Sequence, residues 1–345
     1  LRAGSDTAFG AGTLTLNGGS VSSSSTVARS LANDVVTRTD ITLGDATLNG
    51  ALTFGGSFDL GGVDRTLTTA SDVTLSGTIF DGGLIKAGAG TLTLSGTNTY
   101  AGATSVAAGT LATVGNSTLT ATSYVGISAS ATLSLGGDEA LEGIANAGTI
   151  TLGGILTTGT TSYTLGGAID GVGSLVKAGA GTLTLTSLTT HTGGTTVNAG
   201  NLLLSGAGDH LADAGSLTVN GGTFDLGTLA ETVGTATLTG GTIENGTLTA
   251  TTFAFEAGTV SATLAGGSAT KTTAGTLTLS GANTFVGGFT LGAGTALAGD
   301  DAAFGIGTIT LNGGVLSSTD ANARAFANAL TLGGDATLGA TTNNG

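Results

Sequence analysis

The chain has 345 residues and 32.5 kDa, with 65 Gly and no Pro, Cys, Met or Trp. Lys plus Arg number 8 against 22 Asp plus Glu, a net charge of -14, and charged residues make up only 9%. So few scattered cations exclude the positive footprint that nucleic acids demand, and they make anionic membrane surfaces poor partners. Without Cys there is no disulfide framework and no thiolate metal site; without Pro or a three-residue Gly period there is no collagen. A hydrophobic fraction of 39% and a mean hydropathy of +0.39 argue against disorder. No stretch approaches the ~20 consecutive apolar residues of a membrane-crossing helix, so direct membrane insertion is not expected.

Along the chain the commonest pattern is a short alternation ending in Gly. It appears at 13–19 (TLTLNGG), 91–96 (TLTLSG), 132–137 (TLSLGG) and 308–314 (TITLNGG). Leu or Ile alternates with Thr or Ser at the period of two that sends one set of side chains inward and the other outward. Thr suits the outward face through its β-branch, and the following Gly supplies a corner. One helix-tolerant stretch, 320–330 (DANARAFANAL), recurs in altered form at 26–36. The expected class is all-β with little helix.

Three segments superpose: 86–111, 177–202 and 271–297. Their glycines Gly90, Gly181 and Gly275 each follow a lysine (Lys86, Lys177, Lys271) by four residues. Ten residues after each Gly comes a ring, Tyr100, His191 or Phe285, and six further on Val106, Val197 or Leu291. A second motif, D-x-x-x-x-x-G-[TS]-[LI]-T-[LV]-N-G-G, occupies 6–19, 209–222 and 301–314. Residues 8–23 also match 303–318 almost letter for letter at an offset of 295. Together with the missing initiator Met and an end at Asn343, Asn344 and Gly345, this predicts an internal segment of a longer polypeptide.

Repeated alternations with glycine corners predict a β-solenoid, 1–345 forming one continuous segment in which each strand bonds to the coils before and after it. At roughly 20–25 residues per coil and about 4.8 Å between coils, it would hold about 14–17 coils. A sandwich or barrel would not repeat one motif at this spacing. The three segments, with their G-x-G-T-L-T-L, N-T-[YF]-x-G-x-T-x-V and A-G-T-L elements, resemble the passenger-associated transport repeat of bacterial autotransporters. The third departs at Thr272, Thr273 and Phe289. The resemblance implies a single-stranded right-handed parallel β-helix. It also implies an outer-membrane β-barrel translocator as partner, with export as an unfolded chain and folding at the cell surface. A cysteine-free composition suits such threading.

Chemistry is sparse. His191 holds the ring position of Tyr100 and Phe285, which makes it a structural substitute. Asp209, His210 and Asp213 suggest an acid/base or metal cluster, but Asp6 and Asp301 are followed by Thr7 and Ala302, so such a site would exist in one copy of three. The acids are dispersed, and the densest group, Asp138, Glu139 and Glu142, has no nearby cation, unlike a polysaccharide lyase or glycosidase. Arg29, Arg38 and Arg65 beside Asp34, Asp40 and Asp64 predict exposed ion pairs. Residues 61–64 are too short for a calcium nonapeptide, and 87–90 precede no helix, so a phosphate loop fails. The lysine row is expected on the surface, suppressing lateral strand pairing, in preference to a ligand row. Asn17, Asn220 and Asn312 are expected as turn residues tolerating left-handed backbone. The T-x-T units resemble those of ice-binding solenoids, but the strongest recur only every ~90 residues.

No catalytic, cofactor-binding or metal-binding residue is therefore expected, and the chain is read as a non-enzyme. The expected role is an extracellular rod at the bacterial surface: a stalk, fibre or adhesin passenger with self-association or surface-glycan contacts. The alternative is the scaffold of a secreted polysaccharide-acting enzyme or toxin whose active part lies elsewhere.

Overall fold

The computed structural model describes residues 1–115, 119 and 124–339; Asn343, Asn344 and Gly345 lie outside them. Among the described residues the chain is all-β and its strands pair in parallel, as a β-solenoid requires. The helix-tolerant stretch at 320–330 is irregular until the strand Leu330–Leu332. The chain divides into two compact units, Leu1–Gly159 with Tyr163–Gly173, and Thr160–Ser162 with Ser174–Gly345.

In the first unit an eight-stranded sheet runs from Arg29–Leu31 to Ala168–Gly171 in strict coil order. One inward column reads Leu52, Val73, Leu92, Leu111, Leu133, Ile150, Ile169, each in register with the next and each buried. The adjacent outward column reads Thr53, Thr74, Thr93, Ala112, Ser134, Thr151. The period-two alternation thus becomes a stack of like side chains at the strand spacing.

In the second unit the inward column carries larger side chains and alternates them with small ones. Leu217 is followed by Ala236, Phe253, Ala269, Phe289 and Ile309. Alanines lie above and below Phe253 and leave the space that its ring fills. The coils here are short. Thr247 pairs with Thr263 after 16 residues, whereas Ile41 of the first unit reaches Leu67 after 26. The short coils go with nine-residue strands, Ala230–Leu238, Thr247–Phe255 and Thr263–Lys271, that leave little chain for corners.

Candidate functional site

The lysine row is where the structure departs most from the sequence expectation. Lys86, Lys177 and Lys271 are 0%, 1% and 0% exposed, not a surface row. Lys86 pairs in register between Leu67 and Val106, both inward, and Lys177 lies against Val197. Lys271 sits between Phe255 and Leu291. The aliphatic stems lie in the core and the ammonium reaches a corner. Lys86 Nζ donates to the carbonyls of Ala87 (3.0 Å), Gly88 (2.8 Å) and, one coil on, Ala108 (2.9 Å). Lys177 Nζ donates to Gly179 and, at 3.4 Å, to Ala199, and Lys271 Nζ donates to Thr273. Burial lowers all three amines from the usual lysine range, Lys86 to about 8.

The corner that receives this ammonium ends on a left-handed glycine. Gly109, Gly200 and Gly294 have φ of 66°, 68° and 75°. A Cβ on Gly109 would meet the Gly88 carbonyl oxygen at 2.4 Å and Lys86 Nζ at 2.9 Å. The A-G-T-L element of the repeat is therefore a backbone cradle closed by the lysine of the preceding coil. As an ammonium, Lys86 directs its protons at carbonyl oxygens of its own corner and of the next coil.

The ring position is buried in all three repeats, and in the first two it is coupled to the residue four places on. Tyr100 Oη bonds Thr104 Oγ1 at 2.8 Å, and His191 Nε2 lies 3.1 Å from Thr195 Oγ1 and 3.2 Å from the Gly194 carbonyl. Burial pushes the His191 pKa down, against the opposing bond to Gly194. Phe285 has no polar tip, and its partner position is Phe289, whose ring packs 4.7 Å from Phe304. The Phe289 that departs from the repeat is thus the complement of Phe285.

The acids serve the backbone. Asp6, Asp34, Asp40, Asp72, Asp138 and Asp301 each accept an amide from the next coil, on Ser30, Ser57, Thr66, Thr91, Ile155 and Ala325. Asp34 and Asp40 are therefore backbone caps rather than the expected partners of Arg29 and Arg38, and Arg65 Nε donates to the Leu60 carbonyl at 3.0 Å. The left-handed turns at the asparagine motifs belong to the glycines after Asn17, Asn220 and Asn312, while Asn220 itself bridges Asn198 and Thr239 on adjacent coils at 2.9 Å each.

His210 is buried with Nδ1 3.0 Å from the Gly208 carbonyl and Nε2 2.9 Å from that of Ser205, so neither nitrogen is presented as a base or ligand. Asp209 and Asp213 do come together, and Asp209 also bonds Glu231, which sequence reasoning missed. Glu231 accepts the amides of His210 (3.0 Å) and Leu211 (2.6 Å). Burial, and then its bond with Asp209, raise its pKa to about 8. Asp209 is held low by its bonds to Glu231, Asp213 and two amides, which outweigh its own burial. Glu139 repeats the device, both its oxygens accepting the Leu119 amide at 3.3 and 3.2 Å. The two glutamates are 92 residues apart, the spacing of the repeat, and that was the available signal. Among the described residues, no group of three or more His, Cys, Asp or Glu is placed to hold a metal ion.

No curated protein and no solved structure matches the chain. The passenger-associated-transport-repeat family matches it at residues 84–112, 175–204 and 270–295, the segments that carry the buried lysine and the glycine cradle. The chain thus carries three passenger-associated transport repeats on a β-solenoid, a combination that fits an autotransporter passenger.

Proposed function

We propose that this chain is a structural, non-enzymatic part of a bacterial surface passenger, serving as stalk or adhesin shaft. On this reading it is exported through an outer-membrane β-barrel and presented outside the cell. The observation that carries it is the use of the polar groups. Lys86, Lys177, the cross-coil aspartates, Glu139 and Glu231 bond backbone groups of the neighbouring coil, Lys271 bonds its own corner at Thr273, and His191 and His210 bond their own loops. Groups committed to the backbone support coil stacking rather than turnover. The net charge of -14 favours solubility and keeps neighbouring copies apart.

The test is to place the chain between a signal peptide and a translocator barrel in a Gram-negative host. Protease-accessible surface display, attachment to glycan or abiotic surfaces, and no polysaccharide cleavage are the expected results. Retention in the periplasm would overturn the passenger role. Cleavage abolished by Glu231→Gln would overturn the non-enzymatic one.

A further inference from the structure

The strongest T-x-T units stand far apart in the sequence, but folding assembles weaker ones into a continuous array. In the second unit the strands Ser216–Val219, Ala230–Leu238, Thr247–Phe255, Thr263–Lys271, Phe289–Leu291 and Ile309–Leu311 are successive members of one sheet. Its outward side carries a column of Thr218, Thr237, Ala254, Thr270, Thr290 and Thr310, each in register with the next. Two residues earlier on the first four strands a second column reads Ser216, Thr235, Thr252 and Ser268. The residues between the columns, Leu217, Ala236, Phe253 and Ala269, are buried, so both columns face outward.

Three properties set this face apart. Neither column holds a charged residue, although the chain carries a net charge of -14. The neighbouring sheet, by contrast, places Asp225 and Glu244 in register on its outward side. Neither column holds a ring, so the face offers a sugar no platform to stack on. Its hydroxyls are also uncommitted, whereas the buried lysines and acids are spent on the backbone. Thr270 Oγ1 donates to the Phe253 carbonyl at 3.4 Å, but among the described residues the hydroxyls of Thr218, Thr237, Thr290 and Thr310 take no protein partner. Each remains both a donor and an acceptor, with a methyl group beside it. The β-branch stiffens every one of these side chains, and the coils before and after hold it, so little ordering is left to do on binding.

We propose that this face is an ice-binding site, whose ligand is the ordered water at the surface of an ice crystal. Its groups repeat at about 4.8 Å along a column and about 6.6 Å between columns, close to the oxygen repeats on a face of hexagonal ice. An ice surface is neutral, periodic in two directions, and able to donate and accept at its oxygens. It therefore complements a charge-free array of hydroxyls, whereas a charged side chain would keep its own hydration shell and break the match. The methyl groups add apolar area withdrawn from liquid water, and many weak contacts made at once supply the affinity. The first unit carries a shorter array of the same kind: Thr91, Thr110, Thr132 and Thr149 are in register, flanked by Thr93, Ala112, Ser134 and Thr151. The inference goes beyond the proposed function and stands without it.

The experiment grows ice slowly on a cold probe in a dilute solution of the purified full chain. It measures the share of protein taken into the ice, and the growth of ice grains when a frozen film is annealed. The chain is expected to enter the ice and to keep the grains small. Thr237→Lys combined with Thr132→Lys puts a charge in each array and should weaken both effects at least several-fold. Thr242→Lys, on the sheet that carries Asp225 and Glu244, should change neither. If the first pair fails to fold, Thr290→Lys with Thr149→Lys moves the charges to other coils. Exclusion of the unsubstituted chain from ice overturns the proposal, and retention on crystalline cellulose or chitin alongside that exclusion would assign the face to a glycan. Full activity in a folded variant with both arrays charged, or an equal loss from Thr242→Lys, overturns it as well.

Discussion

At the residue scale the molecule turns on polar groups taken inside and bonded to backbone. A buried ammonium is costly unless its donors are met, and at Lys86 three carbonyls meet them. Lys86→Met keeps the stem and leaves those carbonyls unsatisfied, so chemical denaturation of the first unit should show a loss of about 2–4 kcal/mol. Glu231 has the opposite sign of coupling to pH. Its pKa rises from 4.5 to about 8 on folding, so the folded chain holds a proton that the unfolded chain loses in that interval. Its contribution is fully present below pH 4.5 and declines as pH rises to about 8. Lys86, lowered from 10.5 to about 8, releases its proton first in the folded chain, and so adds stability as pH climbs from about 8 to 10.5. Glu231→Gln, which cannot ionise, should flatten the decline between pH 5 and 8 in stability measured by urea titration. An unchanged slope would remove Glu231 as its source.

At the element scale the unit is a short strand ending in a corner, and its strength depends on what the neighbouring coils leave room for. Phe253 lies between Ala236 and Ala269, two side chains that cannot expand into a void. Phe253→Ala should therefore cost about 3–5 kcal/mol, read by urea denaturation of the second unit. The corner is equally specific. Gly109→Ala combines a left-handed φ with a clash against the Gly88 carbonyl, and should destabilise by more than about 1 kcal/mol while Gly12→Ala, with open space around it, changes little. Equal effects from the two substitutions would contradict the cradle.

At the scale of the whole molecule, a chain of coils that each contact their neighbours folds by propagation, and its stability is close to a sum over coils. That suits threading through a barrel, because successive coils add to those already formed. A covalent link between coils should oppose it. Thr93 and Ala112 are paired in register on the outward face, so Thr93→Cys with Ala112→Cys places two thiols within disulfide reach. When both are oxidised before export, surface display through the translocator should fall at least several-fold, and reductant should restore it. Undiminished display would argue against passage as an extended chain.

Much of this could be read from the letters alone, because a period of two and glycine punctuation are local properties. The parallel solenoid, the inward Leu and Ile columns, the outward Thr columns, the three transport repeats and the shared role of Tyr100, His191 and Phe285 were all legible in that way. The same alternation also placed Lys86 inward, two residues after Leu84, but the usual solvation of lysine argued the other way. Only the folded chain brings the carbonyls of two coils around that ammonium, and their convergence is what makes its burial tolerable. Glu231 is similar: its partners at 209–211 are one coil away, and no local pattern states which residues a coil brings together. The coil lengths, from 16 to 26 residues, decide those pairings, and they depend on how tightly each corner packs on the one beneath it.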